Sequence, residues 1–170
     1  MAVGTQTVWR ITTQRFVDAA FSGEGARLFG GRWNRPGQSL VYTAESRSLA
    51  LLEMLVQDDP LRAQYVLIPA RLPNTVSVEY MDISSLPGGW RNQDERDHLQ
   101  ALGANWLREL RSCVWAVPSA VVPAELNFLI NPLHPDFTRI TLGEPEPLET
   151  DLRLIRPKRA KRSSTVMQSY

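Results

Sequence analysis

Apolar and β-branched residues are concentrated in two short stretches near the start of the chain, and these predict strands at 8–12 and 39–43. The segment between them, 22–37, contains five glycines and no regular hydrophobic period. This spacing favours a shaped loop that can approach a ligand closely. Further on, Ser46 is a typical helix cap, and the apolar residues at 49–56 predict a helix that ends at Asp58, Asp59 and Pro60.

The second half of the chain repeats this alternation of strand-like and helix-like segments. Strands are predicted at 64–72, 76–82, 114–122, 127–130 and 137–142, and Pro69 suggests an edge or a bulge in the first of them. A helix at 94–112 should pack outside a sheet, because one face carries an apolar stripe of Leu99, Leu102, Trp106, Leu110 and Cys113. The sequence therefore predicts an α+β domain with a central mixed or antiparallel sheet flanked by helices.

Length and charge narrow the class of protein further. With 170 residues, 43% of them hydrophobic, the chain can form one domain with its own core, which we place at 1–152. The net charge of +1 gives no indication of direct nucleic-acid binding, and the basic segment 153–170 is expected to be a disordered tail. A lone Cys113 and the absence of an apolar run of about 18 residues predict a cytoplasmic protein without a membrane span.

Three residues on successive predicted elements form the most informative chemical pattern. Arg32 in GGRWN can bind phosphate oxygens through its planar fork, and Tyr42 offers a flat face and a hydroxyl. Glu53 shares a helical face with Leu49, Leu52 and Val56, where an unpaired carboxylate would be costly if that face were buried. Together the three groups could grip a dinucleotide, stack on a cationic ring and stabilise a sugar cation.

Five segments, in this order along the chain, resemble the RES-domain family. They are WR at 9–10, GGRWN at 30–34, VYTAES at 41–46, ALLEML at 50–55 and VPSAVVPAELNFLINPLHPDF at 117–137. Members of this family are the toxins of RES and Xre-type toxin–antitoxin pairs. The resemblance implies a fold similar to ADP-ribosyltransferases, NAD as substrate with no separate cofactor, and NAD depletion as the toxic outcome. It also implies an Xre-type antitoxin that covers the pocket, and it is compatible with a homodimer within the complex.

The same resemblance suggests which residues form the site. The family takes its name from an arginine, a glutamate and a serine, which match Arg32, Glu53 and Ser119 in this sequence. Arg10, Tyr42 and Asn127 also fall at positions similar to pocket residues of the family. We expect Glu53, Arg32 and Tyr42 to be catalytic. The residues expected to bind NAD are Arg10, Arg32, Tyr42, Ser119 and Asn127.

Each of these assignments has a structural alternative. Arg32 could pair with Glu24 or Glu45 at the surface, and Tyr42 could be an ordinary half-buried strand residue. Glu53 could form a structural ion pair with Arg10 or Arg32, which would perturb pKa values much as an active site does. Ser119 could be a turn residue, and Asn127 could bond only to backbone. Glu125 is the alternative carboxylate, while His98 and His134 without nearby cysteines predict no metal site.

The sequence leaves the reaction outcome open. Cleavage of NAD expels neutral nicotinamide, so no general acid is required, and water, phosphate or a macromolecule could accept the ADP-ribosyl group. The chain could therefore be an NAD glycohydrolase, an NAD phosphorylase or an ADP-ribosyltransferase. The alternative from a different class is a catalytically silent module that binds a partner.

Overall fold

One eight-stranded sheet organises the computed structural model, which describes residues 4–57 and 62–154. The strands are β1 Gln6–Thr13, β2 Val41–Ala44, β3 Tyr65–Leu72, β4 Val78–Tyr80, β5 Val114–Pro118, β6 Leu126–Ile130, β7 Thr141–Leu142 and β8 Glu146–Pro147. Their order is β4-β5-β6-β2-β1-β3-β7, with β8 also paired to β3. The β4–β5 pair is parallel and the other described pairs are antiparallel, so the sheet is mixed as predicted.

Three α-helices accompany the sheet in the described residues: α1 Glu24–Phe29, α2 Arg47–Leu55 and α3 Arg96–Glu109. Ser46 caps α2 as expected, because its Oγ accepts a hydrogen bond from the Leu49 backbone N–H at 3.0 Å. Helix α3 ends at Glu109, since Leu110 adopts a left-handed backbone with φ of 51°. Leu110 is consequently 48% exposed and lies outside the buried stripe, whereas Leu99 and Trp106 are buried as predicted.

The glycine-rich segment 22–37 differs from the prediction because it contains a short helix. Gly23 and Gly30 flank α1 with φ of 74° and 68°, conformations that glycine adopts without the strain of a side chain. Between them, Glu24 and Arg27 form an ion pair across one turn, with oxygen and nitrogen 2.6 Å apart. The remaining residues of the segment form the loop that carries GGRWN.

Two of the predicted strands are shorter than expected for identifiable reasons. The strand predicted at 114–122 ends at Pro118, because Ser119 Oγ accepts hydrogen bonds from the backbone N–H groups of Val121 and Val122 and turns the chain. In the segment 137–142, Pro135–Arg139 is a 3-10 turn that leaves only Thr141–Leu142 as strand.

Pro69 does not mark an edge strand. β3 pairs with β1 on one side and with β7 and β8 on the other, and Pro69 faces Trp9 in the β1 register. The residues of β3 that pair with β8 end at Leu67, and those that pair with β7 begin at Ala70. Pro69 therefore lies in the gap between β8 and β7. A proline has no backbone N–H to donate to a neighbouring strand, and at this gap no strand requires one.

The two faces of the sheet bury separate hydrophobic clusters. Side chains alternate along β6, so Phe128 and Ile130 join one cluster while Leu129 joins the other. The second cluster contains Trp33, Leu40, Leu86, Trp90, Leu99, Trp106, Trp115, Val117 and Leu129, which join α3 to the sheet and to the GGRWN loop. The contact is tight, because a Cβ at Gly103 would lie 1.7 Å from the Trp33 carbonyl oxygen. Helix α3 thus fixes the position of the loop that carries Arg32.

Two predictions concern residues outside the described part of the chain. The predicted helix stop at Asp58, Asp59 and Pro60 lies in the gap, and the predicted basic tail lies outside from residue 155 onward. Within 4–57 and 62–154, no helix combines the length and the apolar character needed to cross a membrane.

Candidate active site

The carboxylate of Glu53 is held by two side chains from another part of the sheet. Its Oε1 accepts hydrogen bonds from Ser119 Oγ at 2.7 Å and from Asn127 Nδ2 at 2.6 Å. No described residue donates a hydrogen bond to the other oxygen, Oε2. Two donors on one oxygen fix the orientation of the carboxylate and leave the second oxygen available to a ligand.

Ser119 acts on Glu53 from a fully buried position just after β5. Its hydroxyl donates to Glu53 and accepts from the backbone N–H groups of Val121 and Val122, both at 3.0 Å. The hydrogen-bonding capacity of this hydroxyl is therefore committed within the protein. Asn127 reaches Glu53 from β6, where it pairs in register with Ala44 of β2 and Val117 of β5.

The expected surroundings of Glu53 need correction in two respects. The face of α2 that carries it is only partly buried, because Leu49 is inaccessible to solvent while Leu52 and Val56 are 40% and 64% exposed. The alternative of a structural ion pair with Arg10 or Arg32 is wrong, since the described residues that bond to Glu53 are neutral. Two neutral hydrogen-bond donors thus hold Glu53 in place of a structural salt bridge.

Tyr42 organises the GGRWN loop through its hydroxyl. This group donates to Asn34 Oδ1 at 2.8 Å and accepts from the Trp33 backbone N–H at 3.1 Å. Burial raises the pKa of Tyr42, so the hydroxyl stays protonated and able to donate. Gly31 permits this packing, because a Cβ there would lie 2.4 Å from the Tyr42 hydroxyl oxygen. The hydroxyl that we expected to orient a ligand is bonded instead to the loop, and the ring remains the group that a ligand could contact.

Asn34 completes the same network and was missed as a separate residue by the sequence reasoning. It is fully buried, and its Nδ2 donates to the backbone carbonyls of Ala26, Arg35 and Gln38. Gln100 of α3 binds the loop from the other side, donating to the carbonyls of Gly31 at 2.8 Å and Asn34 at 3.1 Å. The position of Asn34 two residues after Arg32 was the available signal, but only the fold shows which carbonyls it satisfies.

Arg32 projects from this ordered loop and shares an electrostatic environment with the other two candidates. Its Nη1 donates to the carbonyls of Trp90 at 3.4 Å and Arg91 at 3.1 Å. Burial lowers the pKa of Arg32, and the positive charge of Arg96 lowers it further, while Glu53 and Tyr42 act in the opposite direction. The surface ion pair considered between Arg32 and Glu24 does not form, because Glu24 pairs with Arg27.

Arg10 lies on β1, the strand that pairs with the strand carrying Tyr42. Its Nη1 donates to the Tyr42 backbone carbonyl at 3.0 Å, while its buried Nε has no hydrogen-bond partner among the described residues. Burial lowers the pKa of Arg10 to about 10. The structure thus connects Arg10 to the backbone at Tyr42, and it links Ser119 and Asn127 to Glu53.

The remaining polar candidates have structural surroundings. His134 Nδ1 accepts a hydrogen bond from the Asp136 backbone N–H at 3.0 Å and so caps the 3-10 turn. The backbone N–H of Glu125 bonds to the Val122 carbonyl at 2.9 Å within the turn that follows β5. In the part of the chain that the structure describes, no three histidine, cysteine, aspartate or glutamate side chains are grouped as a metal site would require.

The fold and the site define a class of α+β domain in which one oriented carboxylate faces an arginine-bearing loop. The chain belongs to the RES domain family, whose model matches residues 7–151, and the resemblance noted in the motifs is thereby confirmed. The protein named Toxin Res of Photorhabdus laumondii is 36% identical over 155 residues, covering 89% of this chain and 99% of the relative. The Prs ADP-ribosylating toxin of Sphingobium sp. is 37% identical over 158 residues, covering 89% and 98% respectively.

A solved structure shares the same architecture. A chain of the MbcT–MbcA toxin–antitoxin complex of M. tuberculosis matches with a TM-score of 0.71 and 21% identity, covering 85% of each chain. This likeness concerns the fold. It agrees with the mixed sheet described above, and the predicted α+β fold of the ADP-ribosyltransferase-like type is confirmed.

Proposed function

We propose that this chain is the toxin of a toxin–antitoxin pair and that it cleaves the nicotinamide–ribose bond of NAD. The observation that carries the proposal is the Glu53 carboxylate, fixed through Oε1 by Ser119 and Asn127 with Oε2 left without a described partner. Arg32, whose pKa responds to Glu53, supplies a cation near this carboxylate. The relatives named as toxins support the same assignment.

The reaction requires stabilisation of positive charge more than proton transfer. When the bond between ribose C1′ and the ring nitrogen breaks, the electron pair leaves with neutral nicotinamide, and positive charge develops on the ribose. An oriented carboxylate stabilises this oxocarbenium-like state without having to reorganise. Glu53 Oε2 would face the ribose, Arg32 would hold phosphate oxygens, and the ring of Tyr42 would pack against nicotinamide or ribose.

The acceptor of the ADP-ribosyl group distinguishes the possible activities. Attack by water at C1′ gives ADP-ribose and a proton, whereas attack by phosphate gives the 1″-phosphate of ADP-ribose. Transfer to a protein is the second candidate function, and the Sphingobium relative named Prs ADP-ribosylating toxin favours it. All three outcomes use the same cation-stabilising step.

The partner and location follow from the same proposal. The likeness to a chain of a toxin–antitoxin complex supports an antitoxin, which we propose to be of the Xre type and to cover the pocket. A homodimer within that complex is also proposed. We place the activity in the cytoplasm, where the NAD pool is available, and we expect no direct nucleic-acid binding by this domain.

The decisive experiment follows nicotinamide release from NAD by the purified protein and by Glu53→Gln. We expect the substitution to lower kcat about 10²- to 10³-fold, because an amide removes the negative charge that faces the developing cation. Mass spectrometry of the products, with and without phosphate and with a candidate protein acceptor, identifies the nucleophile. Glu125→Gln is the matched control, since it makes the same change at the alternative carboxylate and should retain activity.

One result would overturn the proposed activity, and a second would overturn the role of Glu53 in it. Wild-type protein that releases no nicotinamide at high enzyme concentration, and binds a protein partner but not NAD, would support the catalytically silent module. Equal rates for wild type and Glu53→Gln, with loss in Glu125→Gln, would transfer the catalytic role to the other carboxylate. Thermal unfolding of each variant shows whether a loss of rate reflects a loss of fold.

A further inference from the structure

Three arginines approach the candidate site from different segments of the chain. Arg32 bonds through Nη1 to the carbonyls of Trp90 and Arg91. The Nε of Arg91 in turn donates to the Ala120 carbonyl at 2.8 Å. Ala120 directly follows Ser119, the residue that binds the Glu53 carboxylate. The Arg91 side chain therefore connects the segment beside Arg32 with the segment that positions Glu53.

Arg96 reaches the same region from the first turn of α3. It precedes Gln100 by four residues, and Gln100 donates to the carbonyls of Gly31 and Asn34. Residues four apart lie on the same face of a helix, so Arg96 lies on the face that contacts the GGRWN loop. The charge of Arg96 lowers the pKa of both Arg32 and Tyr42, which agrees with this placement.

The three arginines share the lack of a carboxylate partner, unlike five other arginines of the described residues. Carboxylates pair with Arg27, Arg47, Arg111, Arg139 and Arg153. Among the described residues no ion pair forms at Arg32, Arg91 or Arg96, although Asp94, Glu95 and Asp97 are their near neighbours in sequence. Like charges repel one another, no carboxylate of the described residues forms an ion pair with these three, and an anionic ligand would relieve that repulsion.

We propose that Arg91 and Arg96 join Arg32 to form a binding site for the phosphate groups attached to the 5′ side of the ribose that Glu53 faces. The proposal rests on the function proposed above, and it specifies the substrate class as a nucleotide and not a nucleoside. The Nη atoms of Arg91 have no hydrogen-bond partner among the described residues, and the Nε of the same guanidinium bonds to Ala120, next to Ser119, which suits a phosphate adjacent to the reacting sugar. Arg96 and Arg32 then bind the outer face of the same pyrophosphate.

The test compares NAD with nicotinamide riboside, which contains the same bond to nicotinamide but no phosphate. For Arg91→Gln and Arg96→Gln we expect KM for NAD to rise about 10-fold with kcat changed less than about threefold, because ground-state binding is removed. The rate with nicotinamide riboside should stay within about twofold of wild type in both variants. Arg108→Gln is the matched control, because Arg108 lies on the exposed part of α3 and bonds to Asn105.

A binding measurement separates failure of this inference from failure of the proposed function. ADP is titrated calorimetrically into wild type, each variant and Arg96→Lys, which should recover part of the affinity. If wild type cleaves NAD but the variants keep its KM and its affinity for ADP, the phosphate site is overturned and the function stands. If wild type cleaves nothing but binds ADP more tightly than the variants do, the phosphate site stands and the function fails. Absence of ADP binding to wild type also overturns the phosphate site.

Discussion

The two sides of the candidate site are built differently. On the acidic side, Glu53 is fixed by short hydrogen bonds from Ser119 and Asn127, which are themselves held by β5, β6 and the turn between them. On the basic side, Arg32 and Arg91 bond to backbone carbonyls through one part of each guanidinium, and no described carboxylate neutralises them. One side is fully organised before any ligand arrives, whereas the other retains unused donors.

This difference matches what each side has to do in the proposed reaction. Positive charge on the ribose exists only briefly, so the group that stabilises it must be oriented in advance. Phosphate charge is present throughout the reaction, and long arginine side chains can adjust to it on binding. The comparison therefore predicts that changes on the acidic side lower kcat and that changes on the basic side raise KM.

Among changes that leave Glu53 itself in place, the largest effect is expected from Asn127→Ala, which removes one of the two donors to Glu53 Oε1. The carboxylate can then rotate, and misplacement of a catalytic group lowers the rate about 100-fold. We expect kcat to fall by about that factor while KM for NAD stays within about twofold. Steady-state kinetics measure both constants, and Asn105→Ala on the exposed part of α3 serves as the control. A rise in KM at unchanged kcat would remove the distinction between the two sides.

The acidic side was easier to predict from the sequence than the basic side. Glu53, Ser119 and Asn127 lie in long motifs, and the resemblance placed them in one pocket. Their mutual hydrogen bonds could not be predicted, because residues 66 and 74 positions apart meet only when α2 packs on β1 and β2 and Glu53 thereby reaches Ser119 and Asn127. Arg91 and Arg96 lie outside the motifs that carry the family resemblance. The hydrogen bond from Arg32 to the Arg91 carbonyl joins residues 59 positions apart in the sequence.

Elements of the fold that depend on local sequence were also easier to predict than elements that depend on particular contacts. The predicted strands at 8–12 and 64–72 and the cap at Ser46 agree with the structure, because local composition determines them. Helix α1 was missed because six residues between two glycines give too little hydrophobic period to recognise. The 3-10 turn at Pro135–Arg139 was missed because it depends on the His134 ring accepting from the Asp136 N–H.

A smaller effect is expected from substitution of Tyr42, whose hydroxyl holds the GGRWN loop. Tyr42→Phe leaves the Trp33 N–H and the Asn34 Oδ1 without their partner in a buried setting. We expect the free energy of unfolding to fall by about 1–3 kcal/mol, which is the usual cost of unsatisfied buried polar groups. Urea denaturation measures the change, and Tyr80→Phe, at a residue that is 60% exposed, should stay within about 0.5 kcal/mol of wild type.

The kinetic constants of Tyr42→Phe show whether Tyr42 contributes to the acidic or to the basic side of the site. Because Tyr42 holds the loop that carries Arg32, the variant should mainly raise KM for NAD. A selective loss of kcat with unchanged stability would instead mean that the hydroxyl leaves Asn34 and acts on the substrate. Gly31→Ala offers an independent check, since its Cβ would displace the same hydroxyl without removing it.

The smallest effect expected is that of salt on wild-type protein, and it acts on one side only. Raising ionic strength from about 0.1 M to about 1 M shortens the screening length from about 10 Å to about 3 Å. Charges that attract phosphate through partly exposed arginines are screened, so KM for NAD should rise a few-fold, whereas the hydrogen bonds that hold Glu53 should keep kcat within about twofold. Asn127→Ala should show the same salt response as wild type, and Arg96→Gln a weaker one. Equal salt responses in wild type and Arg96→Gln would mean that Arg96 contributes nothing to phosphate attraction, and the basic side would then consist of Arg32 and Arg91 alone.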